Sequence, residues 1–545
     1  MTSYAPKDLI VGMKTAVDPQ LSPNGEWVVY GVAGIDAEKL KRGSQLWLSK
    51  RDGSDRKQLT YQGTNNGGAR WSPDGQSIAF TSNRDGDLAL FVLDFAGGDP
   101  KKLVTHRNGI ASIEWSPDGS KLAYTAVIDP DKPDTEAIDK EAPAPIKTTS
   151  RIDYHFDTRG WLGDKRAQIF VYDLASGEEK QLTSDPSDHG SPRWSPDGKS
   201  LAIAHATGSF MFAKLEVIDV ESGDVRELMP GNGALGSWTW TADGLKLLVV
   251  ADLDFEQQPQ IYLVDAGGNG FDRLTELDVT PGSAGAAMSH PVWIDDRYAL
   301  YPMQYKARSG VYVFDTETGQ VEELVRGDVQ AQGFSTDASA RYVAQVENSF
   351  AGAGEVTIFD RTTGEKSAIT TLNTELFENH PPAQFERISV DRNGFEIEGW
   401  IIKPADFDPT KQYPLVLDIH GGPNGAYYPA WSSVQQVITG NDFCVVFSNP
   451  RGSSTYGGDF TRAVTKDWGG EDYLDLMAIA DAAVALPYID AERTGVFGYS
   501  YGGYMSSWII GHTDRFKAAA IGAPAVDLFS MFGTSDISWF WGAFQ

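Results

Sequence analysis

The sequence predicts two domains of different fold class, an N-terminal seven-bladed β-propeller and a C-terminal α/β domain with a mainly parallel sheet. A motif of the form Trp-Ser-Pro-Asp-Gly recurs between residues 21 and 340. After Gly364 this repeat stops, and apolar strands begin to alternate with helical segments. A chain of 545 residues is also too long for one hydrophobic core, which agrees with two domains.

The spacing of the repeat predicts the number of blades. Consecutive copies lie 41–53 residues apart, with one longer interval of 79. A period of about 40–50 residues that is rich in short strands is typical of a propeller. The first four copies are clear and the last three are degenerate, and seven copies predict seven blades. They begin at Leu21, Trp71, Trp115, Trp194, Trp240, Trp293 and Phe334.

Each copy predicts the same local structure. The proline presets φ and the glycine takes a position with φ > 0, so the motif predicts a tight turn between two strands. The flanking strands carry alternating apolar residues, which bury one face of a blade against its neighbour. Since one blade cannot cover that face alone, we expect the blades to close radially.

Composition excludes several function classes. The formal net charge of −29 argues against nucleic acid or an anionic membrane as a partner. Cys444 is the single cysteine, so the chain forms no internal disulfide, and the first residues show no signal peptide. With no apolar run long enough to span a bilayer, we expect a cytoplasmic protein.

The last third of the chain predicts an α/β domain. We assign residues 1–370 to the propeller and 371–545 to this second domain. A helix is predicted from Tyr473 onward by its apolar period. Strands that alternate with helices indicate a mainly parallel sheet. The six predicted strands cover residues 387–390, 397–402, 415–419, 443–447, 494–497 and 518–522.

The segment Gly498-Tyr499-Ser500-Tyr501-Gly502-Gly503 lies between the fifth strand and a helix. A Gly-x-Ser-x-Gly motif in that position predicts a nucleophile elbow, in which a strained turn holds the serine hydroxyl above the sheet. The flanking glycines leave room for the close approach of the backbone. The alternative interpretation is a glycine-rich turn with a bystander serine.

The segment His420-Gly421-Gly422-Pro423 follows the strand at 415–419. A loop at this place supplies one backbone N–H to an oxyanion, and the residue after the nucleophile supplies another. The predicted donors are therefore Gly422 and Tyr501, each contributing about 3–4 kcal/mol to transition-state stabilisation. The alternative is a plain turn. Arg451, which follows the next strand, is predicted to be a structural ion-pair donor rather than a substrate ligand.

These motifs together resemble the prolyl oligopeptidase family of serine peptidases, and the acylaminoacyl-peptidase branch most. The resemblance covers the whole chain and adds Asp467-Trp468-Gly469-Gly470 to the motifs above. It implies an α/β-hydrolase fold for the second domain, Ser500 as the nucleophile, and hydrolysis of short peptides with release of an N-acylated or N-terminal residue. It also implies that the propeller excludes folded proteins. We see no metal constellation or phosphate loop, so no cofactor and no metal are expected.

The sequence departs from the family pattern after Ser500. In this fold the order is Ser, Asp, His, and the only histidine after Ser500 is His512. If the elbow helix continues to it, His512 lies about 18 Å along the axis and cannot be the base. His420 belongs to the oxyanion loop, and the other six histidines lie upstream. The Asp and His partners are therefore expected to be absent from this chain.

We accordingly expect an incomplete α/β-hydrolase domain, inactive alone, with about one hundred further residues in a longer or second chain. The aromatic segment 537–545 agrees with a missing partner surface. Partners would be short peptides, a homo-oligomer or the missing C-terminal segment.

Several alternatives stay open. The same machinery suits a dipeptidyl peptidase or a carboxylesterase, and a non-catalytic binding propeller with a hydrolase remnant is a third class. The aromatic-rich segment 528–532 is interpreted either as an apolar specificity pocket or as core packing. The 79-residue interval places about 30 extra residues near 129–163. They form either a long surface loop or a loop over the active site, and His155 within them is predicted to be structural.

Overall fold

A computed structural model describes residues 5–131, 146–149, 154–156, 160–208, 212–253, 257–282 and 289–537. Its first part confirms the predicted seven-bladed propeller, with seven antiparallel sheets between Thr15 and Ala368. In each blade the strands pair in chain order from the first strand to the last. Each of the seven predicted motifs therefore corresponds to one blade.

The strands of the first three blades follow the predicted pattern. Blade 1 comprises Thr15–Leu21, Trp27–Asp36, Lys41–Lys50 and Lys57–Gln58. Blade 2 comprises Asn66–Trp71, Ser77–Ser82, Ala89–Asp94 and Lys101–Thr105. Blade 3 comprises Ile110–Trp115, Lys121–Ile128, Arg166–Asp173 and Glu179–Gln181, with a small hairpin of His155–Phe156 and Gly160–Trp161 between its second and third strands.

The remaining four blades have the same order. Blade 4 comprises His189–Trp194, Ser200–Ala206, Ala213–Asp219 and Val225–Met229, and blade 5 comprises Ala234–Trp240, Lys246–Asp252, Gln260–Asp265 and Phe271–Arg273. Blade 6 has its innermost strand in two pieces and comprises Thr280–Pro281, Val292–Trp293, Tyr298–Tyr305, Arg308–Asp315 and Val321–Arg326. Blade 7 comprises Gln330–Thr336, Tyr342–Ser349, Gly352–Asp360 and Lys366–Ala368.

The polar residues of the repeated motif form a self-contained turn. In blade 3 the Ser116 hydroxyl donates to the Asp118 carboxylate over 2.6 Å and accepts the backbone N–H of Lys121 over 2.9 Å. Gly119 has φ +71°, as the turn requires. The bond from Ser116, with further bonds from Ser120, lowers the pKa of Asp118 to about 2. The motif therefore encodes a turn that satisfies its own polar groups.

The tryptophan of the motif joins neighbouring blades. The indole N–H of Trp115 donates to the backbone carbonyl of Arg70 in the preceding blade over 3.0 Å. An indole and a carbonyl both need a partner when they are buried, so this bond fixes how far one blade stands from the next. Four other copies make the corresponding bond, from Trp71 to Gln20, Trp194 to Glu114, Trp240 to Arg193 and Trp293 to Trp240.

The ring closes by packing rather than by a shared sheet. Blade 1 and blade 7 each consist of strands consecutive in the chain. The N–H of Leu21 donates to the Ser335 hydroxyl over 3.1 Å, and the N–H of Ala338 donates to the carbonyl of Pro23 over 3.0 Å. Apolar side chains of both blades form one buried cluster at this junction.

The second domain contains a six-stranded sheet that confirms all six predicted strands. In the order β1-β2-β4-β3-β5-β6, the first three strands pair antiparallel and the others parallel. Its core lies between this sheet and its helices. The strands are β1 (Phe385–Arg392), β2 (Phe395–Ile402), β3 (Tyr413–Ile419), β4 (Cys444–Asn449), β5 (Ile489–Tyr499) and β6 (Ala518–Gly522).

Seven helices occur among the described residues. The predicted helix from Tyr473 corresponds to α5. No helix in the described ranges is long and apolar enough to cross a membrane. The helices are α1 (Pro6–Gly12), α2 (Thr374–Asn379), α3 (Ser433–Thr439), α4 (Gly458–Arg462), α5 (Glu471–Val484), α6 (Tyr501–His512) and α7 (Leu528–Thr534).

The carboxyl ends of the parallel strands face the propeller. Loops that follow β3 and β4 contact the hairpins between the second and third strands of blades 5 and 6. The amide of Asn424 donates to Gln257 over 3.1 Å, and the N–H of Lys306 donates to the Thr455 carbonyl over 2.7 Å. Any residue at the end of β5 therefore lies at the edge that faces the propeller.

Two further contacts tie the domains together. Arg308 in blade 6 pairs with the buried Glu398 of β2 over 2.9 Å. Helix α1, although it precedes the propeller in the chain, packs against α3, and its Leu9 is fully buried in a cluster that includes Trp431. The N-terminal segment thus bridges the propeller and the second domain.

Much of the insertion near 129–163 lies outside the described residues, namely 132–145, 150–153 and 157–159. His155 is exposed on the small hairpin of blade 3. Whether the insertion covers the second domain stays a prediction.

We predict that Trp115→Phe destabilises the propeller by about 1–3 kcal/mol, because it deletes an inter-blade hydrogen bond and leaves a small void. Guanidinium unfolding followed by far-UV circular dichroism measures the change. Trp27→Phe is the matched control, since the indole N–H of Trp27 has no acceptor among the described residues. Equal losses for the two variants would refute the role given to the indole bond.

Candidate active site

Ser500 occupies a strained turn between β5 and α6. Its backbone has φ 60° and ψ −122°, a region that costs a residue with a side chain about 1–3 kcal/mol. Two backbone bonds hold it there: its N–H donates to the Gly522 carbonyl over 3.0 Å, and its carbonyl accepts from Tyr504 over 2.9 Å. Ser500 is exposed. The geometry is that of the predicted nucleophile elbow, with the hydroxyl on the propeller-facing edge of the sheet.

Close backbone contacts explain the glycines around Ser500. A Cβ on Gly498 would lie less than 3.0 Å from the carbonyl oxygen of Gly502. A Cβ on Gly502 would lie equally close to the carbonyl oxygen of Ile419 in β3. A Cβ on Gly503 would likewise lie less than 3.0 Å from the carbonyl oxygen of Gly522 in β6. The helix can therefore begin directly on the sheet only if these residues have no side chain.

The loop after β3 lies against Ser500. A Cβ on Gly421 would be 3.5 Å from Cβ of Ser500, which is ordinary van der Waals contact. The Nδ1 of His420 donates to the Gly421 carbonyl over 2.8 Å. Since C=O and N–H of one peptide point in opposite directions, this bond turns the N–H of Gly422 away from the His420 ring. That Gly422 supplies an oxyanion donor stays a prediction.

His420 itself is a structural residue of this loop. Its ring is buried, and Nε2 lies 2.9 Å from the hydroxyl of Ser453. Burial lowers the pKa of His420, so the ring is neutral. One ring nitrogen is engaged within this loop and the other by the loop after β4, so His420 is not available to Ser500, as the sequence predicts.

Tyr501, the second predicted donor, is the first residue of α6. A backbone N–H at that position has no intrahelical acceptor and lies at the positive end of the helix dipole. The side chain is buried, and its hydroxyl donates to the Asp472 carboxylate. The ring packs edge-on against Trp468, with centroids 5.0 Å apart. The side chain of Tyr501 thus anchors the first turn of the elbow helix, while its role as an oxyanion donor stays a prediction.

Asp472 is a site residue that sequence reasoning missed. It is fully buried in the first turn of α5, and its carboxylate also accepts the N–H groups of Gly469 and Tyr473 over 2.9 and 2.8 Å. Burial raises its pKa to about 6. The only signal in the sequence was its place two residues after the motif Asp467-Trp468-Gly469-Gly470.

The structure brings no histidine to Ser500. All eight histidines are described, and no hydrogen bond joins any of them to the Ser500 hydroxyl. His512 lies at the last residue of α6, where Nδ1 bonds to the Trp508 carbonyl over 2.7 Å and the ring stacks on Trp508. The prediction that His512 is not the base agrees with this placement.

Arg451 is confirmed as a structural ion-pair donor. Its guanidinium makes two bonds to Asp475, from Nε over 2.9 Å and from Nη2 over 2.7 Å, and its backbone N–H adds a third over 3.0 Å. Arg451 and Asp475 are both buried. Arg392 of β1 also pairs with Asp475, so the cluster joins the loop after β4 to α5 and β1.

The aromatic segment 528–532 forms most of α7. Phe529 is 94% exposed and Phe532 is 56% exposed, so the core-packing interpretation is wrong for these two side chains. The specificity-pocket interpretation stays a prediction. Residues 538–545 of the aromatic tail lie outside the described residues.

Comparisons with known proteins agree with both domains. The family model described as "Prolyl oligopeptidase family" matches residues 429–544, and that described as "TolB beta propeller domain" matches residues 8–132 and 160–375. A Bacillus subtilis protein named uncharacterized peptidase YuxL is 32% identical, with 99% of this chain and 85% of that protein covered.

Two other proteins are similar over nearly the whole chain. Dipeptidyl-peptidase 5 of Porphyromonas gingivalis is 24% identical, with 98% of this chain and 80% of that protein covered. The solved structure of Pyrococcus horikoshii acylaminoacyl peptidase has a TM-score of 0.80 at 22% identity and covers 98% of this chain and 81% of its own. That likeness shows the fold.

We predict that Gly502→Ala destabilises the second domain by at least about 2–3 kcal/mol, because the new methyl group meets a carbonyl oxygen of β3 that cannot move. Gly511→Ala, on the same helix, is the control: a Cβ there has no neighbour within 4 Å. We expect that variant to be unchanged or up to about 1 kcal/mol more stable. Differential scanning calorimetry compares the two, and a tolerated Gly502→Ala would contradict the packing described.

A second prediction concerns pH. The raised pKa of Asp472 means that its ionisation costs folded-state stability as pH rises through about 6, and the Tyr501 hydroxyl offsets part of this cost. Tyr501→Phe should therefore destabilise the domain more at pH 8, by about 1.5–3 kcal/mol, than at pH 5, where Asp472 is mostly protonated.

Tyr504→Phe is the matched control for this pH effect. The Tyr504 hydroxyl donates to the uncharged carbonyl of Trp468 over 3.0 Å, so its loss should not depend on pH. Urea denaturation at the two pH values tests both variants. A pH-independent effect of Tyr501→Phe would show that the Asp472 bond is not the interaction lost.

Proposed function

The chain belongs to the prolyl oligopeptidase family of peptidases, and we propose that it is a serine exopeptidase that hydrolyses short peptides through the hydroxyl of Ser500. The observation that carries this proposal is the exposed, strained Ser500 beside the Gly421 loop. A bystander serine gains nothing from a backbone conformation that costs stability. A nucleophile gains an accessible hydroxyl at a fixed position.

The proposed chemistry is acyl transfer. Ser500 Oγ attacks the scissile carbonyl, and the negative oxygen of the tetrahedral intermediate accepts the backbone N–H groups of Tyr501 and Gly422. The C–N bond breaks as the amine leaves with a proton, and water then hydrolyses the acyl-enzyme. The anchoring of Tyr501 by Asp472 and of the Gly421 peptide by His420 supports preorganised donors.

A general base must take the proton of Ser500. None of the eight histidines bonds to this hydroxyl, and His420 and His512 in the second domain are engaged elsewhere. We therefore propose that the imidazole comes from polypeptide that this sequence does not include. The 545-residue chain alone should then show no turnover.

We propose short peptides with an acylated first residue as the preferred substrates of the enzyme. The fold likeness to the acylaminoacyl peptidase supports this choice. Ser500 lies on the propeller-facing edge of the sheet, which favours peptides that fit between the domains over folded proteins. A dipeptidyl peptidase is the second candidate, because the relative named dipeptidyl-peptidase 5 aligns with 98% of the chain.

The test uses the complete gene product and three chromogenic substrates: acetyl-phenylalanine p-nitroanilide, a free-amino dipeptide p-nitroanilide and p-nitrophenyl acetate. We expect the acetylated anilide to have the highest kcat/KM, and Ser500→Ala to lower kcat by at least about 10⁴-fold. Ser507→Ala, whose hydroxyl bonds to the Gly503 carbonyl within the same helix, is the control with unchanged activity.

Each other outcome has a meaning. Preference for the dipeptide substrate supports the second candidate, and turnover of the ester alone would make the protein a carboxylesterase. Activity that survives Ser500→Ala, or no activity of the complete product, would overturn the peptidase proposal. Turnover by the 545-residue chain alone would refute the need for an added imidazole.

A further inference from the structure

Three potential metal ligands meet on blade 4, away from Ser500. His189 begins the first strand, His205 lies directly opposite it on the second strand, and Asp185 belongs to the connection from blade 3. One ligand atom from each side chain lies within 4.8 Å of the other two. The cluster lies at the end of blade 4 where the second strand leads into the third. In blades 5 and 6, the hairpins at the corresponding end contact the second domain.

The protonation of His205 is set by a buried carboxylate. Nδ1 of His205 lies 3.0 Å from Oε2 of Glu216, which is 4% exposed and pairs with Lys214 over 2.6 Å. A carboxylate only accepts, so Nδ1 carries a hydrogen and donates it. In the neutral ring, the lone pair of Nε2 then faces Oδ1 of Asp185 at 3.8 Å.

Two acceptors that face each other need a donor or a cation between them. A bridging water or a metal ion meets that need. A histidine that binds a metal through one nitrogen and donates from the other to a carboxylate is the usual arrangement in metal sites. Glu216 is placed for that supporting role, and Asp185 for the role of ligand.

His189 completes the set. Its side chain is 2% exposed, and Nε2 lies 3.2 Å from Oδ2 of Asp185. Its Nδ1 is buried and has no hydrogen-bond partner in the described part of the chain. Nε2 is therefore the nitrogen of this buried ring that faces Asp185 and is placed to bind a metal ion.

We propose that Asp185, His189 and His205 bind one divalent transition-metal ion, with Zn²⁺ as the best match to two imidazoles and a carboxylate. Tetrahedral zinc with bonds of about 2.0–2.1 Å places its ligand atoms about 3.3–3.5 Å apart. The distances from His189 to Oδ2 of Asp185, 3.2 Å, and from His205 to Oδ1 of Asp185, 3.8 Å, lie close to that value, so the carboxylate faces one imidazole with each oxygen. Water takes the fourth position, and the side chain of Asp185, 45% exposed, leaves a route for entry.

The ion would link the connection from blade 3, which carries Asp185, to the first two strands of blade 4, which carry His189 and His205. Sequence reasoning expected no metal because the ligands stand 4 and 16 residues apart on different elements, which matches no compact zinc motif. Only the pairing of His189 with His205 across two strands brings them together.

Equilibrium dialysis of the chelator-treated chain against Zn²⁺, with bound metal counted by mass spectrometry, tests the proposal. We expect one equivalent of zinc, retained in the presence of Mg²⁺. Asp185→Asn and His205→Ala should lose it, and Glu216→Gln should weaken zinc affinity about 10–100-fold. His155→Ala, which removes an exposed imidazole of blade 3, is the control and should still bind one equivalent.

Because Asp185 is partly exposed on a connection, Asp185→Asn is the variant least able to disturb folding, and far-UV circular dichroism checks all variants. Zinc that binds at less than one equivalent to the wild type would overturn the proposal. Equal zinc content in Asp185→Asn, His205→Ala and the control would also overturn it, since the ion would then bind elsewhere.

Discussion

Three backbone carbonyl oxygens, those of Ile419, Gly502 and Gly522, occupy the space that side chains at 502, 498 and 503 would need. This contact between the elbow helix and the sheet is the constraint on which the second domain depends. It lets α6 start directly above β3 and β6, and it leaves Ser500 in a backbone conformation that few residues adopt. The strain is sustained because two bonds to Gly522 and Tyr504 and the surrounding core fix both sides of the turn.

The propeller is also held together by local interactions, which lie within each turn and between neighbouring blades. Each Ser-Pro-Asp-Gly turn satisfies its own polar groups, and each motif tryptophan sets the distance to the preceding blade, as Trp115 does with Arg70. The hairpins between the second and third strands lie at the other end of each blade, and their sequences differ from blade to blade. There, Gln257 and Arg308 meet the second domain, and blade 4 brings His189 and His205 together. Regular turns on one side thus support irregular, chemically varied contacts on the other.

The features that sequence predicted are those encoded over a few residues. The elbow, the turns and all six strands of the second domain depend on glycine and proline positions and on apolar alternation, which are visible locally. The bond from Tyr501 to Asp472 joins residues 29 positions apart, and the contact of α1 with α3 joins the first helix of the chain to the second domain. No local pattern marks such pairs, because tertiary packing alone decides which buried carboxylate meets which hydroxyl. For the same reason, the sequence did not predict the cluster of Asp185, His189 and His205 on blade 4, which only strand pairing brings together.

The most direct test of this account is a crystal structure of the catalytically active protein after reaction with an organophosphonate that mimics the tetrahedral intermediate. The account predicts phosphorus bonded to Oγ of Ser500, with the phosphoryl oxygen about 2.7–3.1 Å from the backbone nitrogens of Tyr501 and Gly422. A label on another residue, or a phosphoryl oxygen that points away from both nitrogens, would contradict it.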